Sequence, residues 1–222
     1  QLRIGVPVQR VALLRPIEGD KTNPIFNTIK KHGIEFGQAS KKSRIFRFLT
    51  VQFNRRAKDV SFAGRANKVM FEILEEDTLN QRGERTVENG LNTTEGVNLL
   101  ICFEGNKLKP LYQTLKKKGK WDVQSETFNL PNLSLLHDIE WPENASFVHL
   151  AVAQTNWDYD KDTFETAYSE EVTFEKEDKT IDITLHPEKL KGDKLVLLYV
   201  FVGFSEKYKK TVRPLKRSFN SV

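Results

Sequence analysis

At 222 residues, 38% of them apolar and with 15 Phe and 3 Trp, the chain has the length and aromatic content to bury a core, which excludes an intrinsically disordered protein. No run of 18 apolar residues occurs, which excludes a membrane-spanning helix, and the single cysteine, Cys102, excludes an intrachain disulfide. Charge is unevenly divided: 15 Lys/Arg stand against 4 Asp/Glu from Gln1 to Met70, and 20 against 26 from Phe71 onward, for a net +5.

Residues Arg3 to Leu14 place apolar side chains at Ile4, Val6, Val8, Val11 and Leu13, which predicts an extended arm. Pro7 has no N–H to give a ladder, so the arm belongs at a sheet edge, in its own domain or across to a neighbour. Arg15-Pro16 to Asn23-Pro24 reads as a linker. Thr28 to His32 predicts a short helical turn stopped by Gly33, and Glu35-Phe36-Gly37 predicts a second break. Ser40 then predicts an N-cap for a helix from Lys41 to Asp59. Its apolar stripe is Phe46, Leu49, Phe53, Ala57 and Val60, at spacings of three and four. Phe62, Ala66, Val69, Met70, Ile73 and Leu74 continue that period to about Asp77, as a second helix meeting the first near Ser61 to Gly64.

Thr78 to Val97 is punctuated by Gly83, Asn89-Gly90 and Gly96, which predicts turns, the Asn-Gly pair supplying a positive φ. Lys107 to Lys120 suits a short strand or helix followed by the basic run Lys116-Lys117-Lys118. The strands expected are Val97 to Phe103, Val123 to Asn129, Phe147 to Gln154, Glu170 to Lys176, Thr180 to Leu185 and Leu195 to Phe204. The last is almost wholly apolar and predicts a central strand. Cys102 falls in the first, where a buried, inert thiol is expected. Glu177-Asp178 predicts a hairpin turn, residues 156–169 a long loop, and the last ten residues a basic, loose end. The fold expected is α+β: an extended N-terminal arm over 1–24, a basic helical region over 25–95, and an antiparallel β-sandwich over 96–222, immunoglobulin-like in general architecture.

Chemistry-bearing motifs are few. Asp158, Asp160 and Asp162 alternate like the opening of a calcium loop, but Thr163 stands where that loop needs Gly and Ser169 where it needs Glu, so an acidic surface loop is expected. His32, His137, His149 and His186 are scattered, with no zinc spacing. No nucleophile elbow, Walker loop or dinucleotide fingerprint occurs. No catalytic residue, cofactor or metal is therefore expected. The basic helix offers Arg44, Arg47, Arg55, Arg56 and Lys58 as anion contacts, beside Phe46, Phe48 and Phe53, of which Phe46 and Phe53 fall on the core stripe.

These features predict a non-enzymatic structural subunit that self-assembles with copies of itself into a filament, tube or ring, through its N-terminal arm and complementary charged faces. The first alternative is a nucleic-acid-binding protein using the basic helix. The second is a carbohydrate-binding sandwich using Trp157 and Tyr159. The chain starts at Gln1, which leaves processing and export open.

Asn23-Pro24-Ile25-Phe26, Glu35-Phe36-Gly37-Gln38-Ala39, Arg44, Arg65, Asp77, Arg82-Gly83-Glu84-Arg85-Thr86-Val87 and Gly90 form a pattern over residues 23–95. That pattern resembles one in small uncharacterised proteins of Bacteroidota genomes. Trp141-Pro142 and Ala145 ahead of a strand are similar as well. The resemblance implies a bacterial source and a domain of unknown function, and it supplies no reaction.

Overall fold

The computed structural model describes residues 24–192 and 194–222. The arm positions Ile4, Val6, Val8, Val11 and Leu13 lie outside the described residues. The described residues form an α+β protein with six α-helices and two antiparallel sheets, one of them curled into a half-barrel.

Helix α1 runs without interruption through Pro24–Leu49. The breaks expected at Gly33 and Gly37, and the cap expected at Ser40, are corrected: all three lie inside one helix. A Cβ at either glycine would meet nothing within 4 Å. Each glycine costs about 1 kcal/mol of helix propensity, which the helix-forming neighbours on both sides outweigh. The break comes at Thr50, before α2 (Val51–Ala57). There the Asn54 side-chain amide donates to Arg47 O at 3.1 Å and Thr50 Oγ1 at 3.2 Å, which satisfies a carbonyl freed where α1 ends. Helix α3 (Phe62–Glu75) buries the stripe Phe62, Ala66, Val69, Met70, Ile73 and Leu74, as its period predicts.

Two expectations fail in the next stretch. Asn89-Gly90 lies in helix α4 (Val87–Leu91), and Val97 to Ile101 lies in helix α5 (Thr94–Ile101), not in a turn and a strand. Threonines decide both starts: Thr86 Oγ1 accepts from Asn89 N at 3.2 Å, and Thr93 Oγ1 from Gly96 N at 3.0 Å. Gly90 serves close packing, since a Cβ there would stand 1.8 Å from Ile73 O on α3. Cys102, just past α5, is exposed, which corrects the buried thiol: α5 turns Leu100 inward and leaves Ile101 and Cys102 outside. A short helix α6 covers Leu111–Thr114.

The smaller sheet has β2 (Thr127–Ser134) between β1 (Lys120–Asp122) and β6 (Thr180–Leu185). In the larger sheet β3 (Phe147–Asp158) pairs along one edge with both β4 (Thr163–Tyr168) and β5 (Val172–Glu175). Its other edge carries β7 (Leu195–Tyr208), which also pairs with β8 (Thr211–Pro214). The loop expected over 156–169 is corrected to a hairpin whose turn is residues 159–162. Glu177-Asp178 is not a hairpin turn, because β5 and β6 belong to different sheets.

The two sheets share one core through Leu130, Leu133, Val148, Leu150, Val202 and Phe204. Helices cover the larger sheet elsewhere: Phe46, Leu49, Met70 and Leu100 gather around Trp157, while Phe53 and Ala57 meet Ala151, Ala153 and Phe201. The loose end expected for the last ten residues is also corrected, since Asn220, Ser221 and Val222 are buried. Ser221 bridges Val202, and Asn220 accepts from Phe204 N at 3.0 Å while donating to Arg56 O at 2.8 Å.

Candidate polyanion interface

That last contact joins two basic stretches that are far apart in sequence. Helix α2 and the 3-10 turn Arg217–Phe219 lie side by side, held by Asn220. Between them is a trough of about 500 Å³ lined by Arg47, Arg55, Lys58 and Arg217, with Phe48 and Val60 among its apolar walls. Phe48 is 48% exposed, whereas Phe46 and Phe53 are buried in the core. The exposed face of α2 follows from its period: Phe53 and Ala57 point at the sheet, so Arg55 and Lys58 point away from it.

None of Arg47, Arg55, Lys58 and Arg217 forms an ion pair among the described residues. Arg47 donates through Nε to Ser43 O at 3.2 Å, a neutral acceptor. The carboxylate in the wall, Asp59, is committed elsewhere. It accepts from Arg65 at 2.6 Å, from Lys107 N at 2.8 Å, and from Ser61. Burial pushes the Asp59 carboxyl up, and these bonds more than reverse that, holding it below the ordinary carboxylate range. The trough thus concentrates positive charge in a concave site whose one acidic group among the described residues is already neutralised.

A second pocket of about 340 Å³ shares Arg55 and Arg217 with the trough and adds Arg56, His149, Ser205 and Asn220. Arg56 is not a free anion contact. Its guanidinium makes a two-pronged pair with Glu171, one prong at 3.2 Å, and lies 4.3 Å over the Phe201 ring. His149 Nε2 is 2.8 Å from Ser205 Oγ, and Nδ1 is 3.0 Å from Thr173 Oγ1 and 3.1 Å from Glu171 Oε1. This Ser–His–Glu row resembles a nucleophile–base–acid arrangement in order. However, Ser205 is 2% exposed in mid-strand, and His149 on β3 ties Ser205 of β7 to Thr173 of β5 across one face, with Glu171 just ahead of β5. Burial pushes the imidazole pKa down, Arg56 adds to that, and Glu171 only partly opposes it.

The structure places the five predicted anion contacts unevenly. Arg47, Arg55 and Lys58 converge, Arg56 is paired, and Arg44 stands exposed on α1 outside the trough. Sequence reasoning missed Arg217, whose only local signal was the basic run Arg213, Lys216, Arg217. Of the two residues offered for carbohydrate, Trp157 is fully buried in the helical core. Tyr159 donates to Asn92 Oδ1 at 2.7 Å. Each aspartate of the Asp158-Asp160-Asp162 motif has a lysine: Asp158 with Lys161 at 3.3 Å, Asp160 with Lys194 at 2.9 Å, and Asp162 with Lys42, which also pairs with Glu88 at 2.6 Å. Among the described residues no three His, Cys, Asp or Glu side chains converge as metal ligands would, and no helix is long and apolar enough to cross a membrane. No family model, no curated protein and no solved structure matches the chain.

Proposed function

We propose that the protein acts by binding and not by catalysis, and that its trough takes the backbone of a nucleic acid. The observation that carries this reading is the convergence of Arg47, Arg55, Lys58 and Arg217 with no carboxylate paired to them among the described residues. Like charges gathered in a concavity raise each other's energy, and a phosphate backbone relieves that while releasing counter-ions. Exposed Phe48 offers a stacking face beside the cations, which favours single strands over duplex. The test is fluorescence anisotropy with a labelled single-stranded oligonucleotide of about 15 nucleotides. Replacing the four trough cations by alanine is expected to weaken binding far more than the same change at Lys117, Lys118, Lys179 and Lys189. Equal losses in the two variants, or no binding by the parent chain, would sink the reading.

A second reading, self-assembly, is favoured by α1. Every residue from Pro24 to Ile34 is exposed, and Phe26, Ile29, Ile34 and Phe36 leave apolar surface on a helix end that little of the described protein covers. An immunoglobulin-like stacking of the sheets belongs to this reading too, supported by the core that both antiparallel sheets share.

A further inference from the structure

Strand β7 is bonded along one edge and only partly along the other. Toward β3 its ladder is continuous from Leu195 to Ser205. On the far edge Val202 exchanges bonds with Ser221, Phe204 N donates to Asn220 Oδ1, and Phe204 O accepts from Leu215 N. Even-numbered residues of β7 therefore turn their backbone groups away from β3, because strand geometry alternates with period two. By the same phase Val196, Leu198 and Val200 present N–H and C=O to that far edge, and among the described residues no hydrogen bond reaches them. These groups line a groove of about 350 Å³ whose other wall is apolar, formed by Leu100, Ile101, Phe103, Leu111 and Val222. An open edge beside an apolar groove is what a docked strand requires: backbone partners on one side and side-chain pockets on the other.

We propose, resting on the assembly reading, that this edge of β7 accepts residues 3–14 of a second copy of the chain. Three features select that occupant. First, Ile4, Val6 and Val8 share one phase of the arm, and Pro7 takes the other. A strand that gives the amides of Ile4, Val6 and Val8 to β7 leaves the missing N–H of Pro7 on the outer side, where it costs nothing. Second, Arg3 and Arg10 are opposite in sign to Glu104 at the groove wall, and the arm has no acidic residue before Glu18. Third, reach disfavours the chain's own arm. Phe46 touches Phe103 at the groove, with ring centroids 5.1 Å apart, and Pro24 lies 22 residues back along α1, roughly 33 Å away. The ten Cα–Cα steps from Leu14 to Pro24 span at most about 33–36 Å, so the chain's own arm would reach the groove only with its linker drawn nearly straight. A neighbour's groove imposes no such stretch.

The test uses full-length chains with Cys102→Ser. One tagged copy carries Val8→Cys and a differently tagged copy carries Val196→Cys, and the two are mixed under mild oxidation. A disulfide between the two tags is expected, and none is expected when Val196→Cys is replaced by Ile181→Cys on the other sheet. Sedimentation velocity of Val196→Pro and Ile101→Glu chains is expected to show self-association about tenfold weaker, with thermal stability retained. Val196→Pro removes an outward N–H and spares the β3 ladder. A chain that associates as before in both variants and forms no inter-tag disulfide overturns the groove assignment and leaves assembly standing. A strictly monomeric parent chain overturns both. A disulfide found only within single chains carrying both cysteines also overturns the proposal, by placing the arm on its own β7.

Discussion

Asp77 carries more hydrogen bonds than its position at the end of a helix suggests. It is 4% exposed and accepts from Leu79 N, Asn80 N, Asn80 Nδ2, Thr86 N and Asn89 Nδ2, all between 2.9 and 3.2 Å. Burial pushes its carboxyl pKa up, and these donors overcome that and hold it far below the ordinary carboxylate range. Asp77→Ala strands several buried donors at once and is expected to cost about 3 kcal/mol in urea unfolding, against about 0.5 kcal/mol for an ordinary surface change. A loss near the lower figure contradicts the assignment. His149 sets a second residue-scale expectation. Its folded pKa is depressed below the ordinary 6.5, so the stability it contributes is fully present above pH 6.5 and is lost as pH falls through the folded value. Stability measured at pH 7.5 and at pH 5 is expected to differ less in His149→Gln than in the parent, and an unchanged difference refutes the role. Neither residue announces this in sequence. Asp77 reads as a helix end and His149 as one residue of a pleated face, because their partners sit on other elements.

Element boundaries were legible where one periodicity dominated. The stripe from Phe62 to Leu74 and the alternation in Thr180 to Leu185 are seen as α3 and β6, and the apolar run from Leu195 marks the start of β7, which is flanked on both edges only toward its end. They were illegible where glycine has two physical uses. Gly33 and Gly37 read as stops and sit in open helix; Gly90 read as a turn and sits where α4 touches the α3 backbone. The two uses predict opposite responses to one substitution. Gly33→Ala is expected to stabilise by about 0.5–1 kcal/mol, since a side chain there meets no atom and lowers the entropy of the unfolded chain. Gly90→Ala is expected to destabilise by about 3 kcal/mol, because Ile73 O stands 1.8 Å from the new atom. Thermal melts of the two variants should move in opposite directions, and a shared direction counts against this description of α1 and α4. Helix α5 was misread for a related reason. Val97 to Phe103 is a short apolar run that suits a strand equally well, and the Thr93 cap decides the matter only once the helix is seen.

At the scale of the molecule, the charge division visible in sequence survives in altered form. The basic helical stretch is not a free handle: Arg56 is paired and Phe46 and Phe53 are core. What the fold adds is Arg217, brought beside Arg47, Arg55 and Lys58 by the buried Asn220. No local pattern encodes that meeting, because it depends on β7 and β8 returning the end of the described chain to α2. The account stands on whether these cations act together on one polyanion. The most direct measurement is the slope of log Kd against log salt for a single-stranded oligonucleotide, in the parent chain and in the Arg47/Arg55/Lys58/Arg217 alanine variant. Each phosphate contact on a single strand contributes about 0.7 to that slope, so losing four contacts is expected to lower its magnitude by about 3. A variant whose slope equals the parent's would contradict the trough as the binding site.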